Sequence, residues 1–263
     1  YANTFPYGNI QMYPIDVIDG EKFKNICDFK FGEKIPKKSV SLMYTASDNH
    51  KEVLGFILKH PDSQFKLLTH NSDVEIKECK IPDNLVVWYA QNLGFKHPRV
   101  HALPIGLENN HWHPQKRNIM KNAPFLGNRK LRAFTQFNPS THEERSDLLN
   151  KLHLGTVFAD YGLSRNGQNF ERYVNHLREY AFCLCPRGNG IDTHRIWEAL
   201  YLGCIPIIKK YITHECLEGL PVLFIEDWNE VTENRLKKEH KNMQSKKYEL
   251  NKLSFSYWKN KIL

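Results

Sequence analysis

Residues 181–208 read AFCLCPRGNGIDTHRIWEALYLGCIPII and carry the most informative pattern in the chain. The apolar run that Pro186 ends predicts a buried strand, and residues 204–208 predict a second one. Between them lie a turn with two glycines, Gly188 and Gly190, and a short amphipathic helix. A strand, a turn, a helix and a second strand in this order form the repeating unit of a parallel α/β sheet.

Polar side chains concentrate at this turn and at the start of the helix. The backbone N–H groups of a glycine-rich turn and the positive end of a helix favour an anion such as a phosphate. We therefore predict that the turn binds phosphates, with the guanidinium of Arg187 forking onto two oxygens. Asp192 and Thr193 are expected to cap the helix, and Glu198 to hold a ribose diol. A surface turn before a capped helix is the alternative, and it leaves the convergence of charged residues unexplained.

The ligand of this turn is not expected to be an ordinary dinucleotide. The spacing of Gly188, Gly190 and Thr193 approaches the dinucleotide fingerprint, which also requires an acidic residue after the next strand. Lys209 and Lys210 follow that strand here. The two lysines leave an NADP-dependent oxidoreductase open as a distant alternative, whereas a nucleoside diphosphate fits the pattern better.

The segment from Phe182 to Pro206 closely resembles the signature of exostosin-like glycosyltransferases, with Cys-Pro-Arg-Gly, Gly-Ile-Asp-Thr-His-Arg, Trp-Glu-Ala-Leu and a Gly-x-x-Pro exit. Residues 137–145 resemble the family's Phe-Asn-x-x-Thr-x-x-x-Arg stretch, and residues 88–112 resemble its N-terminal half. The resemblance implies a GT-B fold, an α/β architecture in which two Rossmann-like lobes with parallel sheets face a central cleft. It also implies a nucleotide-sugar donor on the second lobe. The predicted donor-binding residues are Asn138, Thr141, Arg145, Arg187, Gly188, Asn189, Gly190, Asp192, Thr193, His194, Arg195 and Glu198.

Two sets of alternating strands and helices indicate the same two lobes. Strands are expected at residues 40–45, 65–69, 85–89, 100–104, 130–137, 157–158, 182–185, 204–208 and 222–225, of which 85–89 could equally begin a helix. The polar segment 114–127 is the expected linker, so residues 1–126 are predicted to form an N-terminal acceptor-binding lobe. Residues 127–239 are predicted to form a C-terminal nucleotide-sugar lobe. A C-terminal helical segment, 240–263, is expected to pack back on the first lobe because its aromatic residues need a surface to cover them.

Sugar transfer with inversion requires a carboxylate or a histidine that takes the proton of the acceptor hydroxyl. Asp73 and Asp48 follow neighbouring predicted strands of the first lobe, and Asp73 is the preferred candidate. Glu108 is the third candidate. Three of its neighbours are placed to contact a sugar: Asn109, Asn110 and Trp112. Each carboxylate could instead cap a helix, and for Arg145 a solvated position beside an Asx-Pro turn is an equally good interpretation.

No metal ion and no other cofactor are expected. The sequence contains no Asp-x-Asp motif, His111-x-His113 is isolated, and Cys183-x-Cys185 is typical of strand packing. Arg187, Arg195 and the helix N-terminus are expected to neutralise the leaving diphosphate without a metal.

The expected function is transfer of a sugar from a UDP-sugar, such as UDP-xylose or another UDP-pyranose, to a hydroxyl of a glycan or glycoprotein acceptor. The alternatives are an inactive relative that binds a nucleotide or glycan, and a basic nucleic-acid-binding module. The net charge of +8 permits the latter, but the charges are dispersed along the chain, which argues against a nucleic-acid partner.

No apolar run is long enough to cross a membrane. Six cysteines without a disulfide rhythm, and the lack of an Asn-x-Ser/Thr site, favour the cytoplasm, or the Golgi lumen if an N-terminal anchor has been removed.

Overall fold

The computed structural model describes residues 16–123, 126, 128–162 and 170–263. The first lobe is built on a sheet of five parallel strands whose spatial order follows the chain. Its strands are β1 (Phe29–Lys30), β2 (Val40–Ala46), β3 (Gln64–His70), β4 (Leu85–Ala90) and β5 (Val100–Ala102), accompanied by α1 (Gly20–Asn25) and α2 (His50–Leu58). Thr45, Thr69 and Ala90 lie side by side in register, so the strand ends meet at one edge.

The second lobe contains another sheet of five parallel strands. Its strands are β6 (Lys130–Thr135), β7 (Ala159–Tyr161), β8 (Tyr180–Leu184), β9 (Ile205–Lys209) and β10 (Leu223–Ile225). Its spatial order is β10-β9-β8-β6-β7, so the chain leaves β6 on one side for β7 and returns on the other for β8. A ligand crevice is expected at the carboxyl ends of strands where the order reverses in this way.

Among the residues that the structure describes, six further α-helices follow the first lobe's strands. They are α3 (Pro114–Asn122), α4 (Glu143–His153), α5 (Phe170–Leu177), α6 (His194–Tyr201), α7 (Glu233–Gln244) and α8 (Phe255–Ile262). Within the described residues, none of the helices has the length and apolar character needed to cross a bilayer.

The expected α/β fold with two Rossmann-like parallel sheets is confirmed, whereas several local expectations are wrong. The predicted linker 114–127 contains α3, which its polar composition concealed although Pro114 stands at the favoured first helical position. The strand expected at 157–158 lies at β7, a half-buried edge strand without an apolar run. The two-residue β1 and the short α1 were not predicted.

The C-terminal segment contacts the first lobe. It is not one helix, because α7 ends at Gln244 and α8 begins at Phe255. The ring of Phe255 lies 5.3 Å from that of Phe23 in α1, and the Tyr89 hydroxyl donates to the Lys261 carbonyl at 3.0 Å. The predicted division into an acceptor-binding and a donor-binding lobe stays a prediction.

Candidate functional site

Two adjoining cavities open where the carboxyl ends of the two sheets approach each other. We name them after their charged side chains. The arginine cavity, about 260 Å³, is lined by Asp73, Ile105, Thr141, Arg145, Gly188, Asn189, Gly190, Asp192, Thr193, His194, Arg195 and Glu198. The carboxylate cavity, about 330 Å³, is lined by Asn71, Ser72, Asp73, Gln91, Ile105, Glu108, Asn109, Trp112 and His194. Because Asp73, Ile105 and His194 line both, the two cavities form one continuous cleft.

The glycine turn forms one wall of the arginine cavity, and side chains from both lobes approach its backbone closely. A Cβ on Gly188 would lie 2.8 Å from a terminal nitrogen of Arg145. A Cβ on Gly190 would lie 2.9 Å from Nδ2 of Asn92 and 3.2 Å from a carboxylate oxygen of Asp73. The turn is therefore enclosed by an arginine of its own lobe and by polar side chains of the opposite lobe.

Two arginines supply the positive charge of this cavity. Arg145, at the start of α4, is only 8% exposed, and its Nε donates to the Arg187 carbonyl at 2.8 Å. Burial, with the nearby charge of Arg195, lowers the pKa of Arg145 to about 10. Arg195, in α6, donates to the Gln136 carbonyl, and its buried Nε has no partner. No ion pair between described residues involves either guanidinium, so an anion bound here would relieve their mutual repulsion.

The side chain of Arg187 does not lie where the sequence predicted it, among the phosphate-binding groups of the turn. Its guanidinium sits over the ring of Tyr211, 5.5 Å from the ring centroid, and its side chain is not part of the wall of either cavity. Arg187 contributes to this region through its backbone. Its carbonyl accepts from Arg145, and its N–H donates to a Glu144 carboxylate oxygen at 3.3 Å. The place expected for its guanidinium is taken by Arg145 and Arg195.

Asp192 connects the lobes instead of facing a ligand freely. This carboxyl group is 1% exposed, accepts from the Ile105 N–H at 2.7 Å and accepts from the Trp197 indole at 3.2 Å. Burial raises the pKa of Asp192 to about 7. Thr193 stands at the N-cap of α6 as expected, but its side chain makes no capping bond, and its buried Oγ1 has no partner.

Asn92 is a functional candidate that the sequence reasoning missed. It follows β4 in the left-handed region, with φ of 54°. Its Oδ1 accepts from the N–H groups of Ile191 and Asp192 at 3.0 and 2.9 Å, and its Nδ2 donates to the Ser72 carbonyl at 3.0 Å. One amide thus holds the glycine turn against the first lobe. The buried polar residue after a strand was the only signal in the sequence.

Four other predicted donor ligands fall into different surroundings. Asn138 does not line the arginine cavity, because its Oδ1 accepts from the Ser140 N–H at 3.1 Å in the Asx-Pro turn that was the alternative interpretation. Thr141 and the exposed Asn189 line the cavity. Glu198 also lines it and accepts from the Tyr173 hydroxyl at 3.1 Å.

The three candidate bases differ in access. Asp73 is exposed, lines both cavities, and its carboxylate makes no hydrogen bond or ion pair with any described residue. Glu108 lines the carboxylate cavity and is paired with Lys116. Asp48 accepts from the Ser72 hydroxyl at 2.7 Å and lines neither cavity. Among the three, only Asp73 combines a free carboxylate with a position at the junction.

His194 is placed for more than donor binding. Its Nδ1 lies 2.8 Å from the Gly106 carbonyl, which can only accept. In a neutral ring the proton therefore sits on Nδ1, and the lone pair of Nε2 is available in the cleft. Burial lowers the pKa of the nearby His70 to about 4, so the His70 ring is neutral. Its Nε2 donates to the Pro104 carbonyl at 3.0 Å.

The described residues contain no group of three or more His, Cys, Asp or Glu side chains arranged to hold a metal ion. The sulfurs of Cys183 and Cys185 lie 3.7 Å apart in the buried strand region, and burial raises the pKa of Cys185. These thiols pack in the core, as expected. Metal independence itself stays a prediction.

Comparison with known proteins places this cleft within one family. The profile of the Exostosin GT47 domain matches residues 56–232, which include every residue lining the two cavities. The chain is also similar to a protein of Arabidopsis thaliana named a probable glycosyltransferase, with 39% identity over 36 residues. That alignment covers 14% of this chain and 8% of the relative. Because the profile covers more than half of the chain, the chain belongs to the exostosin GT47 family.

Proposed function

We propose that this domain transfers a sugar from a UDP-sugar to a hydroxyl of a glycan acceptor, with inversion at the anomeric carbon and without a metal ion. One observation carries the proposal: Arg145 and Arg195, which form no ion pair with any described residue, line a cavity that adjoins the free carboxylate of Asp73. UDP-xylose and other UDP-pyranoses remain the expected donors, and a glycan or glycoprotein the expected acceptor.

The arginine cavity suits the donor. A diphosphate there would meet the guanidinium groups of Arg145 and Arg195 and the N-terminus of α6. The unpartnered hydroxyl of Thr193 and the carboxylate of Glu198 lie in the same wall, where hydroxyl groups of the donor could bond them. The two guanidinium groups match the negative charge of a diphosphate, whereas a neutral sugar alone would need no positive charge in its site.

The carboxylate cavity suits the acceptor and the base. In the proposed reaction the Asp73 carboxylate takes the proton of the acceptor hydroxyl, and that oxygen forms a bond to the anomeric carbon. The bond from this carbon to the diphosphate oxygen breaks, and the diphosphate leaves with the electron pair. A single displacement of this kind inverts the configuration. The two guanidinium groups stabilise the developing charge, which is the service a metal ion would otherwise provide.

Calorimetric titration of the purified chain with UDP, GDP and NADP, with and without EDTA, tests donor binding. We expect UDP binding that survives EDTA and weakens in Arg145→Gln. Incubation with a set of UDP-sugars and glycan acceptors, followed by NMR of the product's anomeric centre, tests transfer and inversion. UDP binding that EDTA abolishes contradicts metal independence, and UDP binding without transfer to any acceptor points to an inactive relative.

A further inference from the structure

Trp112 differs from every other tryptophan in the chain. All five lie among the described residues, and Trp88, Trp197, Trp228 and Trp258 are at most 1% exposed. Trp112 is 66% exposed and lines the carboxylate cavity beside Glu108 and Asn109. A large aromatic side chain open to solvent at the edge of a cavity loses water contact when a ligand covers it, which favours binding.

The loop that carries Trp112 is tied to the first lobe. The imidazole of His111 lies against the indole, with ring centroids 5.2 Å apart, and its Nδ1 is 2.7 Å from a carboxylate oxygen of Glu21. Asn109 accepts from the Glu21 N–H at 3.0 Å and donates to Asn71 Oδ1 at 3.1 Å. These bonds position the aromatic surface before a ligand arrives, which reduces the entropy lost on binding.

The carboxylate cavity, unlike its neighbour, has no arginine in its wall. Asp73 and Glu108 are its charged lining residues, and no described Lys or Arg lines it, although the chain has a net charge of +8. Lys116 lies close by, but its ammonium is paired with Glu108. An acidic sugar in this cavity would therefore meet the unpaired carboxylate of Asp73, with no described Lys or Arg in the cavity wall to offset the repulsion.

We infer that the acceptor is an uncharged oligosaccharide, one pyranose ring of which packs on the indole of Trp112 while the reactive hydroxyl lies toward Asp73. The inference rests on the proposed function and narrows its acceptor to neutral glycans. The apolar face of the sugar ring covers the aromatic surface, and the carboxylates and amides of the cavity accept and donate hydrogen bonds to its hydroxyl groups.

Tryptophan fluorescence tests this directly, because Trp112 is the solvent-exposed tryptophan. The chain, saturated with UDP, is titrated with neutral tetrasaccharides (cellotetraose, xylotetraose, galactotetraose) and with tetragalacturonate. We expect at least one neutral ligand to shift the emission, and tetragalacturonate to bind at least about tenfold more weakly.

Calorimetry with the neutral ligand that shifts the emission should show about a tenfold higher Kd in Trp112→Ala and a smaller change in Trp112→Phe. Leu154→Ala, which removes an exposed apolar side chain outside both cavities, should leave Kd unchanged.

Three results would overturn the inference. They are tetragalacturonate binding as tightly as the best neutral ligand, an unchanged Kd in Trp112→Ala, and no emission shift with any neutral ligand. The proposed function is judged separately on the same samples. If UDP binds the wild-type chain and binds Arg145→Gln poorly while one of these results is found, the acceptor inference fails and the donor site stands. Failure of UDP to bind removes the proposed function itself.

Discussion

The arginine cavity and the carboxylate cavity share three residues, yet they differ in how their walls are built and in whether the walls contain arginine. The wall of the first comes largely from one continuous stretch, residues 188–198, joined by Arg145. The second is assembled from the loops after three different strands, β3, β4 and β5. Carboxyl groups line both cavities, but only the first also has guanidinium groups in its wall, those of Arg145 and Arg195. The difference teaches that the two guanidinium groups, and not the carboxylates, distinguish a side of the cleft for an anion from a side for a neutral partner.

Proton transfer at the junction is the sharpest test of this division, and Asp73→Asn should have the largest effect. The amide cannot take the proton of the acceptor hydroxyl, so we expect kcat to fall about 10²- to 10⁴-fold. The Kd for UDP should change less than about twofold, because the arginine cavity keeps its guanidinium groups. Initial rates and calorimetry on the same preparation measure the two quantities.

Two variants serve as comparisons for Asp73→Asn. Asp48→Asn alters a carboxylate that lines neither cavity, and its kcat should stay close to the wild-type value. His194→Gln removes the free Nε2 at the same junction. A larger loss of kcat in His194→Gln than in Asp73→Asn would move the base from the carboxylate to the imidazole.

The next largest effect is expected on the affinity for the donor. Arg145→Gln removes a charge-assisted contact to the diphosphate, and we expect the Kd for UDP to rise about tenfold to a hundredfold. Adding salt should weaken UDP binding to the wild-type chain more than to the variant, since one charge is missing. Isothermal titration at two ionic strengths provides both measurements.

Arg187→Gln is the matched control, because it removes an arginine of the same motif whose guanidinium lies over Tyr211. Its Kd for UDP should rise less than that of Arg145→Gln. An equal or greater loss would mean that Arg187 turns into the cavity when the donor binds, as its position in the sequence suggested.

The sequence predicted the arginine cavity well because its local pattern encodes its geometry. Buried strands, a glycine turn and a helix start occur in one uninterrupted stretch, and β8 and α6 lie where that pattern placed them. The direction of individual side chains was less accessible. Whether Arg187 or Arg145 faces the cleft depends on packing against Tyr211 and on a bond to the Arg187 carbonyl, partners that are distant in the chain.

The carboxylate cavity was harder to predict because it has no continuous motif. Asp73, Asp48 and Glu108 all follow strands, and the sequence offered no means of choosing among them. Asp48 is turned away by its bond to Ser72, and Glu108 is engaged by Lys116 of α3, a helix that was predicted as a linker. The position of Asn92 after a strand was too weak a signal to select it, because the turn residues that it holds lie in the other lobe, about a hundred residues later.

Asn92→Ala tests whether the first lobe holds the glycine turn of the second. It removes three hydrogen bonds and leaves buried N–H groups of the turn without acceptors, so we expect a loss of about 2–4 kcal/mol of unfolding free energy. The Kd for UDP should also rise, because the turn loses its fixed position.

Asn84→Ala is the control for Asn92→Ala. Its Nδ2 donates to three carbonyls within the first lobe, those of Ile57, His60 and Ser63. It should lower stability to a similar extent without changing the Kd for UDP. Equal effects of both variants on UDP binding would show that general loosening, and not the turn, explains the change.

A pH-dependent effect is expected from Asp192, which joins Ile105, a residue of both cavities, to the helix of the arginine side. Burial raises the pKa of this carboxyl from 3.8 to about 7, so the folded state holds its proton where the unfolded chain has released it. The stabilisation is therefore fully present below pH 4 and is lost as pH rises through 7, with a slope of at most about 1.4 kcal/mol per pH unit.

Asp192→Asn cannot titrate, and its amide oxygen can still accept from the Ile105 N–H. The difference in unfolding free energy between wild type and variant, measured by urea titration from pH 4 to pH 8, should shift in favour of the variant as pH rises. A difference that is constant over this range would mean that Asp192 is already ionised in its buried position. The junction of the two cavities would then carry a negative charge of its own beside Asp73, and the division of the cleft by charge would have to include it.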